Sequence, residues 1–151
     1  MSVVNHLAAR ALNSRRIVRA PIWLYQHRLG WLLGHRVLML EHTGRISGRN
    51  RFVCLEVVEH PSADTFVIVS GFGEHAQWYQ NLTAHQACRL STGRQRRQPA
   101  IARFMDSHES DSVLLAYQAA HPYSWKRLKG AIEQATGRPV GTLPMVELTR
   151  T

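Results

Sequence analysis

Three strand-like segments follow one another near the middle of the chain, with only short turns between them. They cover residues 36–43, 51–60 and 65–70, and the third is strongly β-branched. Consecutive strands joined this closely pair as antiparallel hairpins, because a parallel crossover needs about a dozen or more residues. The pattern therefore excludes a doubly wound parallel sheet, in which a helix would follow every strand.

The second half of the chain adds helices and further hairpin signals. A turn at Gly93-Arg94 separates two strand-like segments, and Asp106 to Glu109 has the capping residue and early acids of a helix start. The sequence predicts helices over 75–82, from 106 and, after Pro122, over 123–135, with strands over 87–91, 98–105 and 143–148. This is an α+β chain whose sheet curls into a small barrel.

The sequence predicts a basic helical segment over residues 1–34, followed by the barrel domain over residues 35–151. Apolar residues recur at helical spacing from Val4 to Val18 and again from Ile22 to Leu33. The first 40 residues contain six arginines and no acid, so they carry +6 of the formal net charge of +9. A field of this kind attracts an anionic surface.

Two interpretations of this basic segment remain open. Trp23, Leu24 and Trp31 lie outside the main apolar stripe of the second helix, and a mixture of arginine and tryptophan is typical of helices at a membrane surface. The protein would then be peripheral on the inner face of the cell membrane. Alternatively, both helices pack on the barrel and cover an open edge or a dimer contact.

No stretch reaches the roughly 20 apolar residues of a spanning helix, and no secretory signal is evident. We therefore expect a cytoplasmic protein.

The sequence lacks the motifs of several enzyme classes. It has no HExxH, Walker or GxSxG motif, and its ten carboxylates form no paired setting of the kind that glycosidases use. Cys54 and Cys88 cannot form a CxxC zinc site, and the nine histidines are scattered, so we expect no metal. Arg94, Arg96 and Arg97 lack the interleaved aromatics of a nucleic-acid surface, so we expect no nucleic-acid partner.

Residues 43–51, with the sequence Thr-Gly-Arg-Ile-Ser-Gly-Arg-Asn-Arg, lie between the first two strands. Two glycines allow a tight turn with exposed backbone N–H groups, and two hydroxyls and three arginines add donors. Such a loop can hold a phosphate. Alternatively, the segment is a solvated hairpin whose arginines serve solubility, because such a hairpin would show the same spacing. If the loop binds an anion, Arg45 and Arg51 are the candidate ligands.

Residues 69–82, with the sequence Val-Ser-Gly-Phe-Gly-Glu-His-Ala-Gln-Trp-Tyr-Gln-Asn-Leu, join a strand end to a short helix. Hydroxyl and glycine coincide there, which offers a close backbone approach for a flat ligand and free N–H groups for an anion. Ser70 is the candidate catalytic hydroxyl, and its alternative role is to cap the following helix. Trp78 and Tyr79 are adjacent on a helix, so they cannot both face the same direction.

These two motifs together resemble the deazaflavin-dependent nitroreductase and quinone reductase family. Thr-Gly-Arg-x-Ser-Gly-Arg lies between two strands and Trp-Tyr-x-Asn-Leu follows, while residues 143–148 are similar to the family's final strand. The resemblance covers residues 35–149 and implies a split β-barrel related to the flavin-binding pyridoxamine-phosphate oxidases. It also implies binding of the deazaflavin coenzyme F420 and hydride transfer from its reduced form to quinones, nitro compounds or enones.

The resemblance also assigns site residues. Thr43 and Gly44 open the loop that would hold the cofactor's phosphate and acidic tail through Arg45, Ser47, Gly48, Arg49 and Arg51. The deazaflavin ring would lie against Ser70 and Gly71, with Phe72 nearby and Trp78 supporting the pocket. Tyr123 and Trp125 stand in the region that corresponds to the family's tyrosine-rich substrate lid.

The sequence departs from the family pattern at three places, one of which is the region of residues 121–125 that replaces the tyrosine-rich substrate lid. Ile46 occupies a position that is often basic, and the segment between Ser70 and Trp78 is shorter and lacks a lysine. The same barrel could instead hold FMN or a tetrapyrrole without catalysis, as a binding or storage protein. A homodimer with the cofactor at its interface is a further expectation from the family.

Overall fold

A computed structural model describes residues 36–151, so the predicted basic segment lies outside the described residues. Within this range, the strands are β1 (Val37–Thr43), β2 (Asn50–Ser62), β3 (Thr65–Val69), β4 (Ala87–Thr92), β5 (Gln95–Phe104) and β6 (Met145–Arg150). The helices are α1 (Gln77–Ala84), α2 (Ser107–Ala120) and α3 (Pro122–Thr136), and a 3-10 turn at Gly73–His75 precedes α1.

The six strands close into an antiparallel barrel. Their order around the barrel is β1-β2-β3-β6-β5-β4, and β4 pairs with β1 to complete it. Neighbours along the chain form the hairpins β1–β2, β2–β3 and β4–β5, whereas β6 returns from the end of the chain to fill the gap between β3 and β5. Closure leaves no unpaired edge among these strands.

Alternation along the strands divides the apolar side chains between two cores. The barrel interior is filled by fully buried residues from five strands, including Leu38, Leu40, Phe66, Ile68, Leu90 and Leu148. Trp78 and Leu82 of α1 belong to the same cluster, so α1 packs against the barrel interior. This contact fixes α1 beside the loop that joins β1 to β2.

The second core lies between the outside of the barrel and the helices α2 and α3. Val67, Val69 and Met145 supply its barrel side, and Leu114 and Ile132 are among the residues on its helical side. Two hydrogen bonds anchor α2. The Ser110 hydroxyl accepts from the Met145 N–H at 3.2 Å, and the Tyr117 hydroxyl donates to the Glu56 carboxylate at 2.6 Å.

The predicted α+β class and barrel are confirmed, as is the helix start at Asp106. Its carboxylate accepts from the Glu109 N–H at 2.8 Å, and the Glu109 side chain accepts from the Asp106 N–H at 3.3 Å, which completes a capping box. Pro122 opens α3 at its first position, where its missing N–H costs no hydrogen bond.

Several boundaries differ from those predicted, among them the start of β5 at Gln95 rather than residue 98, and three of the differences have a physical reason. β2 continues through Pro61 to Ser62, because register shifts between β2 and β3 accommodate the proline. The last strand begins at Met145 rather than Leu143, because Pro144 offers no N–H and its carbonyl instead accepts from the Ser70 N–H. The predicted helix over 75–82 begins at Gln77, after the separate 3-10 turn.

Replacing Phe66 by alanine tests the barrel core. Phe66 is 1% exposed, so we expect Phe66→Ala to lower the free energy of unfolding by about 3–5 kcal/mol through lost burial and the cavity left behind. The matched control is Phe72→Ala, because Phe72 is 52% exposed. Denaturant titration should show a loss of under about 1 kcal/mol in the control. Equal losses in the two variants would contradict this assignment of inside and outside.

Candidate functional site

The loop between β1 and β2 is a tight turn built on two glycines. The Gly44 N–H donates to the Arg49 carbonyl and the Gly48 N–H to the Gly44 carbonyl, both at 2.8 Å. Gly48 has a φ of +70°, which glycine adopts without strain. A Cβ on Gly44 would lie 2.8 Å from Ser47 Oγ and 3.3 Å from the Arg49 carbonyl oxygen, so a larger residue would have to displace the Ser47 hydroxyl. Hydrogen bonds within the loop therefore hold it in one defined turn conformation.

Asn81 of α1 holds this loop in place. Its side-chain Oδ1 accepts from the Arg45 backbone N–H at 3.1 Å and from Arg45 Nη1 at 2.8 Å. Arg45 Nη1 also donates to Gln77 Oε1 at 3.0 Å. Asn81 itself is 5% exposed, so its amide needs these partners. The Arg45 guanidinium is therefore fixed against one turn of α1.

His42 lies on the other side of Asn81. The Asn81 Nδ2 atom lies 3.0 Å from His42 Nδ1, and both side chains are buried. Burial, and secondarily the charge of Arg51, lowers the pKa of His42 to about 4. The imidazole is therefore neutral at physiological pH.

An open cleft of about 590 Å³ is lined by the end of β1, the β1–β2 loop, the start of β2 and α1. Among the described residues its lining combines basic, amide and apolar side chains: His42, Gly44, Arg45, Ile46, Ser47, Arg51, Phe52, Val53, Gln77, Trp78 and Asn81. Polar groups thus converge on a partly apolar concavity, which is the usual composition of a small-molecule site.

The cleft carries positive charge that the chain does not neutralise. Within residues 36–151, Arg45, Arg49 and Arg51 form no ion pair with a carboxylate. Residues 1–35 contain no acid that could supply one. By contrast, Arg97 pairs with Glu41 at 3.0 Å. The arginines of the loop remain available to an anionic ligand.

The structure brings most of the predicted loop residues to the cleft. Gly44, Arg45, Ser47, Arg51 and Trp78 line it. Thr43, Gly48 and Arg49 belong to the same strand end and loop but are not among the lining residues.

The other predicted residues lie elsewhere. Ser70 is fully buried, and its hydroxyl donates to the Gly73 carbonyl at 2.6 Å. A Cβ on Gly71 would lie 3.2 Å from Ile132 of α3, so this segment packs toward the outer helices. Phe72 is half-exposed and Tyr123 is 86% exposed. Trp125 packs against the second core, between the barrel and the helices α2 and α3, and is not part of the cleft lining.

Six lining residues were not predicted from the sequence. Ile46, Gln77 and Asn81 stand in the two motifs but were not assigned to the site, and His42, Phe52 and Val53 lie outside both motifs. Register supplies the signal for His42, which lies directly opposite Arg51 in the β1–β2 pair. Residues that face each other across two strands share one side of the sheet.

The described part of the chain gives no metal centre and no reactive thiol. Residues 36–151 contain no group of three or more His, Cys, Asp or Glu side chains that could hold a metal ion. Burial raises the pKa of both Cys54 and Cys88 to about 12, so these thiols remain protonated. No helix in this range is long and apolar enough to cross a membrane.

Residues 18–143 match the family model of the F420H(2)-dependent quinone reductases. A comparison with curated proteins finds no significant match. Among solved structures, an F420-H2 dependent reductase (FDR-A) shares 21% identity at a TM-score of 0.50, with 75% of this chain and 93% of that chain covered.

Two further solved structures share the fold at lower identity. A chain described as a domain-swapped dimer has 19% identity and a TM-score of 0.55, with 76% of this chain and 81% of that chain covered. A putative pyridoxamine 5'-phosphate oxidase from Listeria innocua has 10% identity and a TM-score of 0.53, covering 84% and 93% respectively. These likenesses establish a split-barrel fold.

The lowered pKa of His42 predicts a pH dependence of stability. Between its ordinary value near 6.5 and about 4, the unfolded chain binds a proton at this residue that the folded chain does not. The free energy of unfolding should therefore fall as pH drops through this window, by up to about 3 kcal/mol, and this contribution is fully present above pH 6.5. In His42→Asn this fall in the free energy of unfolding should be absent. Parallel pH profiles for parent and variant from denaturant titration would contradict it.

Proposed function

The chain belongs to the F420H(2)-dependent quinone reductase family and is an F420-dependent reductase, and we propose that it binds F420 in the cleft between the β1–β2 loop and α1. The observation that carries this placement is the cluster of loop arginines without carboxylate partners. Arginine forks suit phosphate and carboxylate oxygens, and F420 carries both a phosphate and an acidic tail.

The residues of the cleft fit such a cofactor. Arg45 and Arg51 supply charged donors to the lining, and Phe52, Val53 and Trp78 supply apolar surface for a flat ring. The turn that presents the arginines uses Gly48 at a φ of +70°, which favours glycine. Charged donors next to an apolar wall are what an aromatic ring with an anionic tail requires.

Hydride transfer is the chemistry that reduced F420 supplies when bound. The chain contributes binding, orientation and exclusion of water, as is usual for a cofactor enzyme. Arg45 is held by Asn81 and Gln77 before any ligand arrives. Such preorganisation lowers the cost of binding, because the side chain loses less rotamer freedom when the ligand binds.

We propose a quinone as the physiological acceptor, because the family is named for quinone reduction. Nitro compounds and activated enones accept a hydride in the same way and are further candidates. Ser70 is proposed as a catalytic hydroxyl, and Tyr123 and Trp125 as substrate contacts. A homodimer is supported by the structural neighbour described as a domain-swapped dimer.

Removing the Arg51 guanidinium should weaken cofactor binding. A charge-assisted contact to an ionised group contributes about 1.5–3 kcal/mol, so Arg51→Ala should lower F420 affinity about tenfold to a hundredfold. The melting temperature of the cofactor-free protein should change little, because Arg51 forms no ion pair within residues 36–151. Titration with F420, followed by fluorescence or absorbance, measures the effect.

The matched control for this test is Arg138→Ala, which removes the same charge from a position outside the cleft lining. It should leave F420 affinity within about twofold of the parent, because distant charges are largely screened at physiological salt. If the two variants bind F420 equally well, the loop is not part of the cofactor site.

Ser70→Ala separates a catalytic from a structural hydroxyl. The lost hydrogen bond to Gly73 should cost about 1 kcal/mol of stability in either case. The catalytic proposal predicts in addition a fall in kcat with F420 affinity unchanged, measured with a water-soluble quinone. Thr136→Val is the control, since it removes a comparable bond to the Ile132 carbonyl at 2.8 Å. An unchanged kcat in Ser70→Ala would reduce Ser70 to a structural role.

We also propose that the basic segment attracts an anionic membrane surface, where quinones dissolve. Each basic residue near such a surface contributes about 1 kcal/mol, and residues 1–40 contain six arginines. The full chain should co-sediment with anionic but not neutral vesicles at low salt, and lose this on deletion of residues 1–20. A full chain that stays in the supernatant with anionic vesicles would refute the membrane role.

A further inference from the structure

Asn81 determines which nitrogen of His42 carries the proton. Its Oδ1 faces Arg45, which has only donors, so the amide orientation is fixed by the two Arg45 bonds. The Nδ2 group, also only a donor, therefore faces His42 Nδ1 at 3.0 Å. His42 Nδ1 must accept, and the neutral ring carries its proton on Nε2.

The Nε2–H group is left available at the cleft. His42 lines the cleft, and its only hydrogen bond among the described residues is the one at Nδ1. Within these residues, the only buried side-chain polar atom without a partner is Arg150 Nε, so His42 Nε2 is not sealed in the interior. A neutral donor thus stands beside the Arg51 side chain, which lies directly opposite in the strand register.

We propose that His42 is a ligand-binding residue of the cleft, which donates Nε2–H to an anionic oxygen held by Arg51, and that Asn81 positions it by fixing its tautomer. The identity of the ligand as F420 rests on the proposed function. The chain of hydrogen bonds from Arg45 through Asn81 to His42, the relay, does not. The anionic oxygen belongs either to a phosphate or to a carboxylate, since both are acceptors of the same kind.

The relay explains why the site uses a neutral donor beside an arginine. A second cation next to Arg51 would repel it in the absence of ligand, whereas neutral imidazole adds a hydrogen bond without that cost. The groups that face His42 are Arg51 from β2 and Asn81 from α1, with Arg45 behind the Asn81 amide. No carboxylate hydrogen-bonds the ring among the described residues.

Nitrogen NMR of the full chain, with labelled histidine, tests the relay without any cofactor. The His42 signal, identified by its loss in His42→Asn, should show a proton on Nε2 and none on Nδ1 at pH 7. In Asn81→Asp the carboxylate can only accept, so the proton should move to Nδ1 or the ring should become charged. A parent ring protonated on Nδ1, or an unchanged tautomer in Asn81→Asp, would overturn the positioning role.

Inorganic phosphate and free glutamate, titrated separately into the labelled chain, identify the anionic oxygen. A saturable shift of the His42 Nε2 signal with phosphate assigns a phosphate contact, and one with glutamate assigns a carboxylate contact. Neither shift should occur in Arg51→Ala if Arg51 holds the anion. A His42 signal that responds to neither anion would overturn the binding role.

F420 titration then separates the two nitrogens of the ring. Asparagine at position 42 can replace Nδ1 as acceptor for Asn81 but leaves no donor at the cleft, whereas glutamine can place an N–H near Nε2. We expect about a tenfold or larger loss of F420 affinity in His42→Asn and a smaller loss in His42→Gln. His85→Asn, outside the cleft lining, should match the parent. Equal affinity in His42→Asn and parent overturns the proposal, while a parent that fails to bind F420 refutes only the proposed function.

Discussion

One buried amide joins the strands to the helix at this site. Asn81 accepts twice from Arg45 and donates to His42, so it links the β1–β2 loop, the end of β1 and α1. The Asn81 amide and the His42 ring are both buried, so each would be costly to leave unpaired. The position of the Arg45 guanidinium depends on this residue, and so does the His42 tautomer proposed above. Trp78 and Leu82 hold Asn81 in place by packing α1 into the barrel interior.

The distribution of charge along the chain prepares the same cleft for an anion. All ten acids follow residue 40, and several of them are committed to other arginines, as Glu41 is to Arg97 and Glu109 and Glu147 are to Arg103. The loop arginines therefore have no intramolecular carboxylate partner among residues 36–151. An uncompensated cluster of this kind attracts an anion. The affinity of the cleft for an anion therefore depends on the charge of the loop arginines.

Local signals in the sequence predict much of the fold and part of the site. Hairpin spacing and alternation give the barrel, the capping residue Asp106 gives the start of α2, and the glycines of the loop give the turn that carries Arg45 and Arg51. The residues that were missed depend on long-range pairing. His42 meets Asn81 only because β1 and α1 pack together, and no local pattern marks that contact. Ser70 was predicted at a ligand because hydroxyl and glycine coincide there, but the pattern could not indicate that Gly71 packs against Ile132.

Parallel titration of the cofactor-free full chain with F420, FMN and haem tests the proposal that this cleft accommodates a flat ring with an anionic tail. We expect saturable binding of F420 that weakens as salt is raised, because arginine contacts to an anion are screened by ions. FMN, which has a phosphate but no acidic tail, should bind more weakly, and haem weaker still. Tighter binding of FMN or haem than of F420, or F420 binding that is indifferent to salt, would contradict it.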